Sequence, residues 1–185
     1  MKKFELTAEF IEFLGKKLFR IKALISFGTV AKGEFGGFVE QEKNLSHDGN
    51  AWVSGNARVY GDAWVSGNAW VYGDARVYGN ARVYGNAWVS GNARVYGDAW
   101  VYGDAWVYGD ARVYGNARVY GDARVYGNAL VYGDALVYGD ARVYGKIKLK
   151  TILCSRFNFE FDWQVNLWLK LEKKFEQEIQ KGTKK

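Results

Sequence analysis

The sequence contains two residues that could take part in catalysis, His47 and Cys154, and it holds one residue of each type. A histidine can act as a general base near neutral pH, and a cysteine can act as a nucleophile. The two lie in opposite flanks of the sequence, and His47 follows Ser46 and precedes Asp48. His47 is therefore the only candidate for a catalytic residue, and its setting favours a polar loop residue. We interpret Cys154 as a small buried residue without a catalytic partner.

Tryptophan, tyrosine and arginine form a second group of residues, whose chemistry is recognition. These residue types are enriched at the energetic centres of protein interfaces. Read at intervals of 18 residues, one set forms an aromatic column, and a second set forms an arginine column. The aromatic column is Trp52, Trp70, Trp88 and Trp106, and the arginine column is Arg58, Arg76, Arg94 and Arg112. A third column alternates Trp64, Arg82, Trp100 and Arg118. We predict an aromatic binding face and an arginine binding face, or alternatively ladders that only stabilise strands by stacking.

A six-residue repeat must position these columns. Residues 49–144 repeat the pattern Gly, Asn or Asp, Ala, a variable residue, Val, and Tyr or Ser. In a strand, Ala and Val face one side, whereas the variable residue and Tyr face the other. Glycine allows a sharp turn at each corner. A fixed short period of this kind predicts a solenoid.

The size of one coil follows from the columns, because an 18-residue interval sorts the variable position and a 12-residue interval does not. The corner residues agree, since one corner reads Asn56, Asp74, Asn92 and Asp110. Stacked coils lie about 4.8 Å apart, so alternating Asn with Asp avoids stacking carboxylates. The sequence predicts an all-β, left-handed parallel β-helix of about five triangular coils. Its interior of Val and Ala is filled, so we expect no small-molecule ligand there.

The two flanks resemble caps for the ends of this solenoid, which would otherwise expose strand edges. Residues 1–48 predict an N-terminal β cap that begins with a hairpin. Residues 145–185 predict a C-terminal cap. In that cap the alternating apolar residues from Phe157 to Leu171 indicate a strand, and Leu171, Phe175 and Ile179 indicate a short amphipathic helix with a basic end.

The N-terminal segment from Leu18 into the first hexad resembles the opening of the YdcK-like family of bacterial and phage β-helix proteins. The matching positions are Leu18, Arg20, Ile21, Ala23, Leu24, Gly33, Gly36, Gly37, Leu45 and Ser46. The resemblance covers residues 15–144 and implies a left-handed β-helix. It carries no active site with it.

The charge and composition exclude several other functions. The formal net charge is +6, but the array holds equal numbers of Arg and Asp, so the excess lies mainly in the C-terminal tail. A neutral array lacks the attraction that nucleic-acid binding requires. The spacing of Cys and His predicts no metal site, and no cofactor is expected. No segment is apolar enough to span a membrane, and the start lacks the apolar run of a signal peptide, so we expect a cytoplasmic protein.

These observations favour a non-enzymatic β-helix that serves as a rigid scaffold or as a module for self-association or protein binding through an aromatic face. The first alternative is a relative of hexapeptide-repeat acyltransferases, which resemble this array and use acyl-CoA. The second alternative is a surface that binds polyanions or glycans.

Overall fold

The computed structural model describes residues 1–145, 148–149, 152–154 and 158–159, together with residues 164, 167, 170, 171 and 174. Three longer strands come first, and short strands follow at each hexad. The strands are β1 (Phe4–Phe13), β2 (Lys16–Ala23), β3 (Phe35–Val39), β4 (Trp52–Val53), β5 (Arg58–Val59), β6 (Trp64–Val65), β7 (Trp70–Val71), β8 (Arg76–Val77), β9 (Arg82–Val83), β10 (Trp88–Val89), β11 (Arg94–Val95), β12 (Trp100–Val101), β13 (Trp106–Val107), β14 (Arg112–Val113), β15 (Arg118–Val119), β16 (Arg124–Val125), β17 (Leu130–Val131), β18 (Leu136–Tyr138), β19 (Arg142–Val143), β20 (Lys148–Leu149), β21 (Ile152–Cys154) and β22 (Asn158–Phe159).

The short strands stack in parallel and form three sheets. Within the described residues, the sheet orders are β1-β2-β3-β5-β8-β11-β14-β17-β20, then β4-β7-β10-β13-β16-β19-β22, and β6-β9-β12-β15-β18-β21. Each strand of the array pairs with the strand 18 residues later, as Trp88 does with Trp106. The predicted 18-residue coil and the all-β solenoid are therefore confirmed.

The solenoid has about six turns, because strands β20, β21 and β22 continue the stack beyond the hexads that predicted about five. The interval shortens there, since Leu136 pairs with Ile152 and Arg142 pairs with Asn158. The last turn therefore follows the sheets without keeping the six-residue period.

The core consists of the Val and Ala of every hexad. From Ala51 to Val143 these side chains are at most 1% exposed. Their burial follows from the strand alternation, which directs both residues of each hexad to the same side. The interior is packed with small aliphatic side chains, so the variable side chains lie on the outside.

The corners depend on glycine and on the residue that follows it. Each corner glycine has a positive φ, for example 71° at Gly85, a conformation that costs other residues about 1–2 kcal/mol. The next residue does not share this conformation, because Leu14 is the only non-glycine residue with a positive φ in the described chain. The Asn residues instead hydrogen-bond along the stack. Nδ2 of Asn86 donates to Oδ1 of Asp104 at 2.9 Å, and Asn80 donates in the same way to Asp98.

The N-terminal cap contains the predicted hairpin of β1 and β2, joined by a turn at Leu14 and Gly15. Strand β3 pairs antiparallel with β2 and parallel with β5, so it forms part of a lead-in coil. A short 3-10 helix, Glu42–Asn44, and a bridge between Leu45 and Val65 complete this coil. Gly36 and Gly37 permit it to approach closely, since a Cβ at Gly37 would lie 2.7 Å from the Ala57 carbonyl oxygen.

The C-terminal flank differs from the alternation seen in the sequence. Asn158–Phe159 is a strand, but Leu167 and Leu171 have helical backbone. The predicted strand is therefore wrong at these two residues. The pattern is ambiguous, because Leu167 and Leu171 also fit the four-residue spacing of a helix. Phe175 and Ile179 of the predicted helix lie outside the described residues.

Candidate functional surface

The N-terminal end of the solenoid presents a row of carbonyl oxygens that need donors. Along the array each N–H donates to a carbonyl in the next coil, as Trp52 does to Ala69, so the first coil's carbonyls face the cap. Backbone N–H groups of the lead-in coil satisfy several of them. Their donors are Phe38 to Ala57, Glu40 to Val59, and Ser46 to Val65. The cap therefore continues the hydrogen-bond pattern of the coils.

Asn44 is a buried polar residue that supplies further donors to this end. Its side chain is 0% exposed. Its Nδ2 donates to the carbonyl oxygens of Gly61 at 2.9 Å and Ala63 at 2.8 Å. Its Oδ1 accepts a hydrogen bond from the Gln41 N–H at 2.9 Å. One amide group thus pairs three backbone groups at a corner of the first coil.

Lys3 serves the same purpose at another corner. Its side chain is buried, and its Nζ donates to the carbonyl oxygens of Gly49 at 3.2 Å and Ala51 at 2.9 Å. The ammonium group also lies 4.8 Å from the centre of the Phe27 ring. Burial lowers the pKa of Lys3 to about 8, although the nearby Asp48 carboxylate acts in the opposite direction.

We expect Lys3 to make stability rise with pH between about 8 and 10.5, the ordinary lysine pKa. In this range the unfolded chain binds a proton that the folded chain has released, so the free energy of unfolding increases with pH. The contribution is at most about 3 kcal/mol. Chemical denaturation at several pH values would measure this slope, and Lys3→Met should remove it. An unchanged slope in Lys3→Met would contradict the assignment.

His47 has both ring nitrogens engaged within the cap. Its Nδ1 accepts a hydrogen bond from the Lys3 backbone N–H at 3.1 Å, and its Nε2 lies 2.7 Å from Oε1 of Glu42. The ring also stacks on Phe4 at a centroid distance of 4.4 Å. Because Nδ1 accepts a bond, Nε2 carries the proton and donates it to Glu42. The His47 hydrogen bond and a second one from Lys2 lower the pKa of the Glu42 carboxyl.

The predicted aromatic column is continuous, but its environment changes along its length. Trp52 is 0% exposed, because the cap covers it and Phe27 packs edge-on against it at 5.4 Å. Its Nε1 has no hydrogen-bond partner among the described residues. Trp70 is half-buried, whereas Trp88 and Trp106 are 37% and 39% exposed. The cap therefore removes the first of the four tryptophans from the predicted face.

The exposed part of the column begins at the edge of the cap. Gly28, Thr29, Trp70 and Trp88 line an open cavity of about 270 Å³. Trp70 stacks on Trp88 at 6.3 Å, and Trp88 stacks on Trp106 at 5.1 Å with 6° between the rings. Each ring therefore covers part of a face of the next ring.

The arginine column is also divided by the cap. The hairpin residue Phe13 lies between the first two guanidinium groups, with Arg58 at 4.4 Å and Arg76 at 5.0 Å from its ring centre. Phe13 also contacts the Tyr60 ring edge-on. Arg94 is half-buried and Arg112 is exposed, so these two form the outward part of the predicted arginine face.

The third column places a tryptophan between two arginines. The guanidinium groups of Arg82 and Arg118 lie over Trp100, at 5.3 Å and 5.0 Å from its ring centre. Both partners are one coil away from Trp100 in the stack. The alternation of Trp and Arg in this column therefore produces cation–π contacts within the chain.

Tyrosine ladders run along the corners beside these columns. In the longest, neighbouring rings from Tyr60 to Tyr132 stack at centroid distances between 4.8 and 5.3 Å. Its members are Tyr60, Tyr78, Tyr96, Tyr114 and Tyr132. Burial raises the pKa of Tyr60 to about 12, and it also raises the pKa of Tyr78 and Tyr96. These phenols are therefore neutral at ordinary pH.

Metal and membrane features were sought in the same residues. In the described part of the chain, no group of three or more His, Cys, Asp or Glu side chains is arranged to hold a metal ion. No helix among the described residues is long and apolar enough to cross a membrane. The absence of a cofactor stays a prediction.

Sequence reasoning identified the columns but missed Lys3, Asn44 and Phe13. The columns were visible because they recur at a fixed interval. Lys3 and Asn44 act on carbonyls 48 and 19 residues away, and each occurs once in a segment without a repeat. Cys154 pairs with Tyr138 in the last turn, but its side chain lies outside the description, so its burial stays a prediction.

Comparison with known families agrees with this architecture. The family model described as the YdcK beta solenoid repeat matches the array several times. The matched segments are residues 51–67, 75–91, 87–103, 93–109, 105–121, 111–125 and 123–138. A search of curated proteins finds none that matches the chain.

Proposed function

The repeat array belongs to the YdcK beta solenoid repeat family, and we propose that this chain uses it as a non-enzymatic rigid scaffold that self-associates through its exposed tryptophans. The expected left-handed winding and a cytoplasmic location are parts of this proposal. The winding is supported by the regular interval from each Val to the Ala four residues later, as from Val53 to Ala57.

The exposed pair Trp88 and Trp106 carries the proposal. The two rings are stacked on each other, and each is exposed by more than a third of its surface. Both are attached to strands of a continuous parallel sheet, so little conformational entropy is lost when a partner binds. Exposed tryptophan on a rigid surface is typical of binding hot spots.

The stacking geometry favours a protein partner over a glycan or a nucleobase. Sugars and bases bind aromatic side chains through their open ring faces. In the ladders these faces are largely covered, since Trp106 has Trp88 on one side and Arg124 at 5.3 Å from its ring centre. Trp100 is covered likewise by two guanidinium groups. Edges and hydroxyl groups are what the ladders offer to a partner.

The acyltransferase alternative requires a histidine that can accept a proton from a substrate. His47 uses its unprotonated nitrogen to accept a bond from the backbone of Lys3, and it donates through the other to Glu42. It therefore has no free lone pair in this conformation. Acetyl-CoA binding measured by calorimetry would separate the alternatives, and a saturable heat would contradict the scaffold proposal.

We expect the double variant Trp88→Ser, Trp106→Ser to have a smaller molar mass in solution than the wild type. The change removes the exposed apolar pair while the Val and Ala core stays intact. Size-exclusion chromatography with light scattering, over a range of protein concentrations, measures the effect. Trp64→Ser is the matched control, because Trp64 is 40% exposed but lies on another sheet. A monomeric wild type at all concentrations would contradict self-association.

A further inference from the structure

Three serines replace tyrosine in the array, and one of them has no explanation in the packing of the cap. Ser54 and Ser66 belong to the first coil, where the lead-in coil covers the end of the solenoid. Ser66 is 6% exposed, and Ser54 adjoins Gly37. Ser90 is half-buried and lies two coils further along the array. A serine at this position leaves an aromatic ladder incomplete.

The column containing Ser90 shows the size of the interruption. Tyr72 donates its N–H to Val89 and Ser90 donates its N–H to Val107, so Tyr72, Ser90 and Tyr108 lie in consecutive coils. Beyond the gap the ladder continues, with Tyr108 and Tyr126 at 4.8 Å and 1° between the rings. Tyr72 and Tyr108 are two coil spacings apart, or roughly 10 Å. One ring is missing between two parallel rings.

The tryptophans beside this column leave the gap open. Tyr72 contacts Trp88 edge-on at 5.9 Å. Tyr84 makes the same contact with Trp100 at 6.2 Å, and it still stacks on Tyr102 at 4.9 Å. An edge contact to tryptophan therefore does not prevent a tyrosine from stacking.

Trp106 completes the outline of the gap. Tyr84 supplies a ring edge to the tryptophan 16 residues later, Trp100. The equivalent neighbour of Trp106 is Ser90, which has no ring to offer. The gap is thus bounded by Tyr72 and Tyr108 along the stack, by Trp106 at its side, and by Ser90 at its base. The serine hydroxyl can donate or accept a hydrogen bond.

We propose that the gap at Ser90 is a binding slot for one planar aromatic ring of phenol size that carries a hydroxyl group. The ring stacks between Tyr72 and Tyr108 at the spacing of the existing ladder, and its edge meets Trp106. The slot lies on the outer surface, so it is separate from the filled Val and Ala interior. It does not depend on self-association through Trp88 and Trp106.

The same ring chemistry has two sources, a free phenolic molecule or a tyrosine side chain of a second copy of this chain. The probe for both is p-cresol, which is the tyrosine side chain as a free molecule. Offset-stacked rings attract each other beyond their burial. A ring between two partners therefore gains more than one placed on a ladder end.

Binding of p-cresol is measured by saturation-transfer NMR and by quenching of tryptophan fluorescence. We expect Ser90→Tyr, which fills the slot and restores the repeat, to weaken p-cresol binding roughly ten-fold or more. Tyr102→Ser should create a second slot between Tyr84 and Tyr120, and so increase the number of bound molecules. Cyclohexanol, which is similar in size but not planar, should not compete.

Light scattering distinguishes the two sources. A monomeric wild type that binds p-cresol identifies a free molecule as the ligand. An oligomer that dissociates both with excess p-cresol and in Ser90→Tyr identifies a side chain of a second copy. If wild type and Ser90→Tyr behave alike with p-cresol and have the same molar mass, the slot proposal is overturned.

Discussion

Replacing Gly85 by alanine is expected to lower the free energy of unfolding by roughly 2–4 kcal/mol. Gly85 has a φ of 71°, which is strained for alanine. The new Cβ would also lie 2.9 Å from the backbone nitrogen of Gly103 in the next coil. Because that contact is with backbone, two coils must separate to relieve it. Denaturant unfolding followed by circular dichroism measures the loss.

Gly15→Ala is the matched control for this prediction. Gly15 has a similar φ of 74°, but a Cβ there meets no described atom within 4 Å. Its cost should be limited to backbone strain, partly offset by the reduced entropy of the unfolded chain. Equal losses in Gly85→Ala and Gly15→Ala would show that the spacing between coils does not limit the corner residue.

Replacing Asn44 by leucine is expected to destabilise the N-terminal cap by roughly 3–5 kcal/mol, since a buried group left without a partner costs about 1–3 kcal/mol. The substitution preserves side-chain size but leaves the carbonyl oxygens of Gly61 and Ala63 without their donor. Hydrogen exchange should accelerate at the cap amides of Phe38, Glu40 and Ser46. These amides donate to the first coil and report directly on cap docking.

Asn92→Leu provides the corresponding control within the array. Asn92 also donates through Nδ2, to Asp110 at 3.1 Å, but its side chain is exposed, so water replaces the lost bond. Its effect on stability should be below about 1 kcal/mol. Unchanged exchange at the cap amides in Asn44→Leu would indicate that the cap is held by its apolar contacts alone.

Both predictions concern the way in which coils meet, and this dependence also explains the shape of the candidate surface. The cap docks on the first coil through Lys3, Asn44 and the lead-in strand, and it covers Trp52 at the same time. The exposed aromatic surface therefore begins at Trp70 and is fully developed at Trp88 and Trp106. A stable cap is a condition for that surface.

The corner residues show how far a repeat can be interpreted before its structure is known. The alternation of Asn with Asp indicated that stacked carboxylates are avoided. The structure adds a direction, because an Asn amide donates to the carboxylate of the next coil, as Asn116 does to Asp134 at 3.0 Å. This direction depends on which atoms face each other across coils, and residue types alone do not specify it.

The sequence alone determined the solenoid, its 18-residue coil, the Val and Ala core and the outward columns, because strand alternation and a constant period act locally and repeat without change. The tertiary structure decided which column members remain exposed. Trp52 and Trp106 occupy equivalent positions in identical hexads, yet one is 0% exposed and the other 39%. The difference arises from the cap, whose docking depends on contacts between distant residues that occur only once. It also decided that Ser90 is an open gap, because an empty place in a ladder exists only where neighbouring rings are already stacked.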